Sequence, residues 1–97
     1  MRRERILSVL RRHADDLRRL GVSHLYLFGS AARDEAGASS DVDLFFDFEA
    51  PGFSLVELLS LQERIAQLVH APADVMSRGS IHPRLRHAIE SSAVQVF

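Results

Sequence analysis

Two aspartates separated by one residue open a hydrophobic segment near the middle of the chain. Asp41 and Asp43 flank Val42 and precede Leu44. In a β-strand, residues two apart point to the same side and lie about 6.6–6.8 Å apart along the chain, so both carboxylates can reach one cation. Mg²⁺ is the natural choice, because it binds carboxylates together with substrate phosphates and keeps some of its water. Taken alone, the pair could also be a helix N-cap or a solvated strand edge.

A third carboxylate, Asp74, lies in a later short hydrophobic segment. Alternation lets Asp74 share a face with Met76 while Val75 faces the core. An acid on a neighbouring strand would allow a second metal ion about 3.5–4 Å from the first, and two ions can clamp the attacking and leaving oxygens of an in-line displacement. We therefore expect Asp41, Asp43 and Asp74 to be the catalytic and metal-binding residues.

A candidate phosphate site precedes the aspartates. Gly29 permits close backbone approach, and Ser30 is expected to cap a short helical turn whose free N–H groups and hydroxyl can hold phosphate oxygens. Arg33, one turn further on, could add a charge-assisted contact to the same phosphates. A Gly-Ser pair alone is common in strand-to-helix turns, so its combination with the three acids carries the argument. The predicted phosphate-binding residues are Gly29, Ser30 and Arg33.

The elements that must position these residues follow from hydrophobic periodicity. Apolar residues at three- and four-residue steps, with arginines on the other face, predict one continuous helix over residues 2–20. β-Branched and aromatic residues predict strands over Val22–Phe28 and Val42–Phe48. Alternation sorts the strand residues into one face with Leu25, Leu27, Val42, Leu44, Phe46 and Phe48, and another with His24, Tyr26, Phe28, Asp41, Asp43, Phe45 and Asp47.

The second half of the chain continues the alternation of helices and strands. Ser54 and Glu57 match a capping box and predict a helix to about residue 70, which Pro72 prevents from continuing. The remaining predictions are a third strand over residues 73–76, a last helix from about Pro83, a terminal strand over residues 93–97, and a loop and a turn at residues 37–40 and 50–52. This order predicts a single α/β domain over residues 1–97.

Composition excludes several classes of protein. With 46% hydrophobic and 26% charged residues, the 97-residue chain is typical of globular proteins and not of disordered ones. The absence of cysteine excludes disulfides and thiolate chemistry, and is compatible with the cytoplasmic location that we expect. No apolar run approaches the roughly 20 residues that span a bilayer, so no membrane association is expected. The sequence has neither a Walker loop nor a serine nucleophile elbow, and its five histidines are scattered.

Charge is unevenly distributed along the chain. The formal net charge is −1, yet residues 1–20 contain seven arginines and only three acids. This basic segment could meet an acidic partner or RNA. A solvated helix face with local ion pairs is the simpler interpretation, so direct nucleic-acid binding is not expected.

The spacing of the candidate residues resembles that of a known superfamily. Gly29-Ser30, ten residues, Asp41-Val42-Asp43 and a later strand acid at Asp74 are similar to the nucleotidyltransferases related to DNA polymerase beta, most closely to their minimal nucleotidyltransferase (MNT) domains. The resemblance covers essentially the whole chain. It implies a polymerase beta-like fold, in which a small mixed sheet of three to four strands carries helices mainly on one face.

The resemblance also implies an activity and a partner. The activity is transfer of a nucleoside monophosphate from a triphosphate, here AMP from ATP, to a hydroxyl, with two Mg²⁺ ions. By the matched motif, Asp41 and Asp43 would bind metal and triphosphate, and Asp74 would complete the second metal site and help activate the acceptor hydroxyl. MNT proteins of this length resemble antitoxins that pair with HEPN ribonuclease toxins, so a hetero-oligomer with such a toxin, modified on a tyrosine, is expected.

Two features leave an alternative open. Many members of the superfamily have Arg-Gly where this chain has Arg33-Asp34, which places an acid near the expected triphosphate. The helix that begins after Ser54 is apolar around more than one face, and the surplus could form an interface. The alternative is a catalytically weak MNT antitoxin that neutralises its toxin by binding.

Overall fold

In the computed structural model, which describes residues 2–35, 41–49 and 53–97, the chain forms a four-stranded mixed β-sheet. The strands are β1 (Val22–Phe28), β2 (Val42–Phe48), β3 (Ala73–Ser77) and β4 (Val94–Gln95), in the spatial order β3-β2-β1-β4. β1 runs antiparallel to β2 and β4, whereas β2 and β3 are parallel. The expected α/β fold with a small mixed sheet is confirmed.

Five α-helices accompany the sheet in the part of the chain that the structure describes. They are α1 (Arg3–Arg12), α2 (Ala14–Arg19), α3 (Gly29–Ala32), α4 (Leu55–Val69) and α5 (Pro83–Ser92), and a single 3₁₀ turn, Arg78–Ser80, follows β3. None of the helices in these ranges has the length and apolar character that crossing a membrane requires. The loop and the turn predicted at residues 37–40 and 50–52 lie outside the described residues.

Alternation along the strands divides the sheet into two faces, as predicted. The main core lies between one face and the helices α1, α2 and α4, and its fully buried side chains include Ile6, Leu10, Leu17, Leu25, Leu27, Leu44, Leu61 and Ile65. The opposite face carries a smaller cluster of Phe28, Phe45 and Ile81, on which Ile89 of α5 packs. The helices therefore cover mainly one face, and the strand residues Asp43 and Asp74 belong to the other.

The prediction of one continuous first helix is wrong, because the helix breaks at His13. The backbone of His13 has φ −106° and ψ 18°, and its N–H donates to the carbonyl of Leu10 at 3.2 Å. The carbonyl of Val9, which a continuing α-helix would pair with that N–H, instead accepts a hydrogen bond from the His13 ring at Nδ1, 2.9 Å away. A local side-chain bond thus replaces a backbone bond, and α2 starts afresh.

The predicted boundaries of α4 are confirmed. Ser54 and Glu57 form the capping box, with the Ser54 N–H donating to the Glu57 carboxylate at 3.1 Å. At the other end, His70 adopts a left-handed backbone with φ 54°, which closes the last turn before Pro72. α5 begins at Pro83 in its first turn, where the missing N–H costs nothing.

Candidate active site

The structure places Asp43 and Asp74 side by side on neighbouring strands. They are paired residues in the parallel register of β2 and β3, and paired residues of neighbouring strands point to the same face of a sheet. On its other side, Asp43 is paired with Phe28, the last residue of β1. Asp43 is half-buried and Asp74 is exposed. The two carboxylates therefore lie in one row that ends at the Gly29 turn.

The pKa of Asp43 depends on its burial and on the two other predicted aspartates. Burial raises the pKa of the Asp43 carboxyl, and the negative charges of Asp74 and Asp41 raise it further. Asp41 immediately precedes β2 and is exposed. In the described ranges, no three acidic or histidine side chains form a ready-made metal-binding group. The charges of Asp41 and Asp74 thus act on Asp43, but the three aspartates are not arranged as a closed three-ligand cage in the described residues.

This donor set fits Mg²⁺. The candidate ligands are carboxylate oxygens, and Mg²⁺ is usually held by one or two carboxylates together with substrate phosphates and water, not by an all-protein cage. A cation would also offset the burial and the repulsion that together raise the pKa of Asp43. The open arrangement of Asp41, Asp43 and Asp74 is therefore compatible with a site that substrate completes.

Gly29 lies directly against Asp43. The backbone of Gly29 has φ 72°, and a Cβ added there would collide with Oδ2 of Asp43 and lie 3.3 Å from its Cβ and Cγ. The sequence predicted that Gly29 permits a close approach, and the structure shows that the approaching group includes the Asp43 carboxylate itself. Glycine at this position is required both by backbone conformation and by space.

Ser30 is not the N-cap of α3, so that prediction is wrong. The helical turn spans Gly29–Ala32 with Phe28 at the N-cap position, and no side chain caps it. Phe28 keeps the extended backbone of β1, and Gly29, with its left-handed backbone, is already the first residue of α3. The N-cap position therefore falls on Phe28, and Ser30 is the second residue of the helical turn. Ser30 instead lies inside the turn, where its carbonyl accepts the Glu35 N–H at 2.8 Å.

Arg33 directly follows α3, and its side chain is engaged. Its Nε donates to the Glu35 carboxylate at 2.9 Å, and both side chains are more than half exposed. Ion pairs of this kind contribute about 0–1 kcal/mol, so a phosphate could displace Glu35 at little cost. Whether Arg33 binds phosphate stays a prediction.

One residue near the site was not predicted from the sequence. Arg78 follows β3 and makes a bidentate pair with Asp47, at 2.8 and 3.0 Å, and a 2.6 Å contact with Glu90 of α5. Its guanidinium also lies 4.8 and 4.9 Å from the ring centres of Tyr26 and Phe45, which stack on each other. The hydrogen bond to Asp47 raises the pKa of Arg78. The acidic face of β2, which includes Asp47, was the only sequence feature that suggested a basic partner.

Comparison with known proteins agrees with this geometry. The family model of the nucleotidyltransferase domain matches residues 10–96. The protein adenylyltransferase MntA of Thermococcus cleftensis is 34% identical over 94 residues, covering 96% of this chain and 94% of that protein. A solved structure assigned as a minimal nucleotidyltransferase is 33% identical, with a TM-score of 0.76, and the match covers 97% of this chain and 95% of that one.

A more distant solved structure has the same fold. It is an MNT antitoxin in complex with a tri-AMPylated HEPN toxin from Shewanella oneidensis; the matched chain is 17% identical with a TM-score of 0.67, and the match covers 94% of this chain and 71% of that one. The fold and the family model together define the class. The chain belongs to the nucleotidyltransferase domain family, and its fold is that of the minimal nucleotidyltransferases.

Proposed function

We propose that this chain is an Mg²⁺-dependent protein adenylyltransferase that transfers AMP from ATP to a tyrosine hydroxyl of a HEPN ribonuclease toxin and thereby acts as its antitoxin in the cytoplasm. The observation that carries the proposal is the row of Asp43 and Asp74 on neighbouring strands, with Asp43 against the Gly29 turn. Relatives support the choice of acceptor, since one similar protein is named a protein adenylyltransferase and a structural neighbour is bound to an AMPylated HEPN toxin.

The carboxylates would hold the metal. Asp41, Asp43 and Asp74 are the proposed ligands, and bound Mg²⁺ supplies charge stabilisation at the phosphates of ATP. Asp74 is exposed and can take the proton of the acceptor hydroxyl. The hydroxyl oxygen then bonds to the α-phosphorus of ATP as the bond to pyrophosphate breaks. The products are an AMP ester of the acceptor and free pyrophosphate.

The turn after β1 would hold the triphosphate. Gly29 lets the backbone approach closely, Ser30 offers its hydroxyl, and Arg33 can exchange Glu35 for a phosphate oxygen. Because Gly29 is in contact with Asp43, phosphates held by this turn would lie beside the proposed metal ligands. Proximity of the two halves is what an in-line displacement needs.

Transfer of label from α-labelled ATP to the co-expressed toxin tests the proposal. The wild-type chain with Mg²⁺ should label the toxin, whereas Asp41→Ala and Asp43→Ala should each lower the rate by at least about a hundredfold. Asp15→Ala is the matched control, because Asp15 is an exposed aspartate of α2 that forms a surface pair with Arg18. Intact labelling by either site variant would reject the metal assignment.

A second function, neutralisation by binding alone, is favoured by one observation. Leu55, Val56 and Leu59 at the start of α4 are 68%, 72% and 55% exposed. Apolar side chains grouped in this way are typical of protein interfaces. If binding suffices, Asp41→Ala should still suppress the toxicity of the partner and co-purify with it. Loss of suppression with retained complex formation would instead favour catalysis.

A further inference from the structure

Asp34 adopts a backbone conformation that is unfavourable for a residue with a side chain. Its φ is 59°, in the left-handed region. The Asp34 N–H donates to the carbonyl of Ala31 at 3.2 Å, and the Glu35 N–H donates to the carbonyl of Ser30 at 2.8 Å. These two bonds define a Schellman motif with Asp34 at the position that glycine usually takes. Aspartate is one of the few other residues that adopt this conformation, because its short polar side chain can form hydrogen bonds.

The Asp34 side chain contacts the first residue of α1. Its Oδ1 accepts a hydrogen bond from the backbone N–H of Arg3 at 3.1 Å. A helix leaves its first N–H groups without partners of its own, and the N-cap residue Arg2 provides no side-chain cap, so this bond satisfies an N–H that α1 cannot. The negative charge also lies at the positive end of the helix. Asp34 thus caps α1 from a position 31 residues away in the sequence.

A second bond joins the same two segments. The Arg3 guanidinium donates through Nη1 to the carbonyl of Ala32, the last residue of α3, at 3.3 Å. α1 itself is firmly held, since Ile6 and Leu10 are 1% and 0% exposed in the main core. The start of α1 therefore has a fixed position, and the two hydrogen bonds can hold the turn of residues 29–35 against it.

We propose that Asp34 is a positioning residue, which fastens the turn of residues 29–35 to the start of α1 and so holds Gly29, Ser30 and Arg33 in the arrangement that receives the triphosphate. This inference rests on the proposed function in one respect, namely that the turn binds a nucleotide. The Asp34 carboxylate is engaged by the Arg3 N–H at the start of α1. Without these hydrogen bonds, a smaller fraction of the molecules has the turn in its nucleotide-binding conformation. The apparent affinity for nucleotide falls in proportion to that fraction.

Two pairs of variants isolate the contact. Asp34→Asn keeps an acceptor oxygen and tolerates a left-handed backbone, whereas Asp34→Gly keeps the backbone and loses the acceptor. Arg3→Ala loses the guanidinium but keeps the N–H, whereas Arg3→Pro loses both. Proline fits the first position of a helix, and the preceding Arg2, with φ −75° and ψ 154°, already has the extended backbone that a following proline requires. The difference between the two Arg3 variants is thus the N–H.

The readout is binding of an ATP analogue with a non-hydrolysable α,β bridge, with Mg²⁺ present, to the 97-residue chain, together with the steady-state constants for AMP transfer. We expect Asp34→Gly and Arg3→Pro to weaken analogue binding and to raise KM for ATP about fivefold with kcat little changed, a size that matches one lost cap. Asp34→Asn should bind like wild type, and Arg3→Pro should bind more weakly than Arg3→Ala. In the double variant, the addition of Asp34→Gly to Arg3→Pro should weaken analogue binding no further.

The outcomes separate this inference from the proposed function. If the wild type binds the analogue and all variants bind equally well, the positioning role of Asp34 is wrong while the proposed function stands. If the wild type binds no analogue even with its toxin present, the proposed function fails, and the inference with it. Amide hydrogen exchange at Arg3 checks the contact directly, since its N–H should exchange faster in Asp34→Gly than in Asp34→Asn.

Discussion

The carboxylate of Asp43 occupies the space in which a side chain at Gly29 would lie. The strand residue and the turn residue come from different segments of the chain, and the antiparallel pairing of Phe28 with Asp43 brings them together. The proposed metal ligand and the proposed phosphate turn therefore depend on each other for their positions. A substitution at either residue should therefore alter the position of the other.

Gly29→Ala should destabilise the protein and abolish AMP transfer. Alanine would be strained at φ 72°, and its Cβ would push Asp43 out of place, which together should lower the free energy of unfolding by about 2–4 kcal/mol. Urea denaturation measures this loss. Gly79→Ala is the control, because a Cβ at Gly79 meets nothing within 4 Å. Equal stability and activity of the two variants would contradict the close packing of Asp43 on Gly29.

Asp43→Asn should stabilise the isolated chain at neutral pH while it abolishes AMP transfer. Burial and the charges of Asp74 and Asp41 raise the pKa of Asp43 above its ordinary value of 3.8. The folded protein therefore holds this proton more tightly than the unfolded chain, so the stabilisation is present below pH 3.8 and is lost as the pH rises through the folded pKa. Because solvent partly screens the repulsion, we expect a melting temperature only about 2–5 °C higher.

Two comparisons support the interpretation of that measurement. Asp41→Asn, at an exposed position, should raise the melting temperature less. Mg²⁺ should stabilise the wild type more than Asp43→Asn, because a cation removes the same repulsion that the substitution removes. A melting temperature of Asp43→Asn below that of the wild type would show that Asp43 is not under repulsion in the folded state.

The sequence predicted the fold well wherever the signal was local. Alternation in β1 and β2 gave both strands and their faces, and the capping box of Ser54 and Glu57 gave the start of α4. Alternation also placed Asp74 opposite the core side of β3, where the structure pairs it with Asp43. Period-2 patterns and caps work because they depend on neighbours within a few residues.

The features that the sequence missed depend on backbone detail or on distant contacts. The first helix breaks at His13, where a ring nitrogen bonds to the Val9 carbonyl. Hydrophobic periodicity does not reveal a bond of this kind. Arg78 meets Asp47 from 31 residues away, and their contact exists only because β3 lies beside β2. The contact of Asp34 with Arg3 likewise requires the turn after β1 to meet the start of α1. Such pairs follow from strand order and packing, not from spacing.

Arg78→Ala should destabilise the face of the sheet that carries Asp43. The substitution removes the bidentate pair with Asp47 and the close contact with Glu90. It leaves the partly buried Asp47 without this cation, whereas Glu90 keeps its longer pair with Arg86 at 3.9 Å. We expect a loss of about 2–3 kcal/mol in urea denaturation, with an unchanged m-value.

Arg78→Lys should recover only part of that loss, because lysine cannot form the fork to Asp47 or stack on Tyr26 as guanidinium does. Arg19→Ala is the control, since Arg19 is 78% exposed and pairs with Asp16 at the surface, where such pairs contribute about 0–1 kcal/mol. If Arg78→Ala were no more destabilising than Arg19→Ala, the cluster around Arg78 would have no structural importance.

Leu59→Ser should weaken the complex with the toxin without unfolding the chain. Leu59 is 55% exposed on α4, so its loss should change the free energy of unfolding by no more than about 0.5 kcal/mol. Burial of one leucine at an interface contributes about 1.5 kcal/mol or more, which corresponds to about a tenfold lower affinity in a direct binding measurement. Leu85→Ser is the matched control, because Leu85 is equally exposed but lies on α5. Equal affinities of the two variants would exclude the start of α4 as the toxin-binding surface, and a selective loss for Leu59→Ser would assign it there.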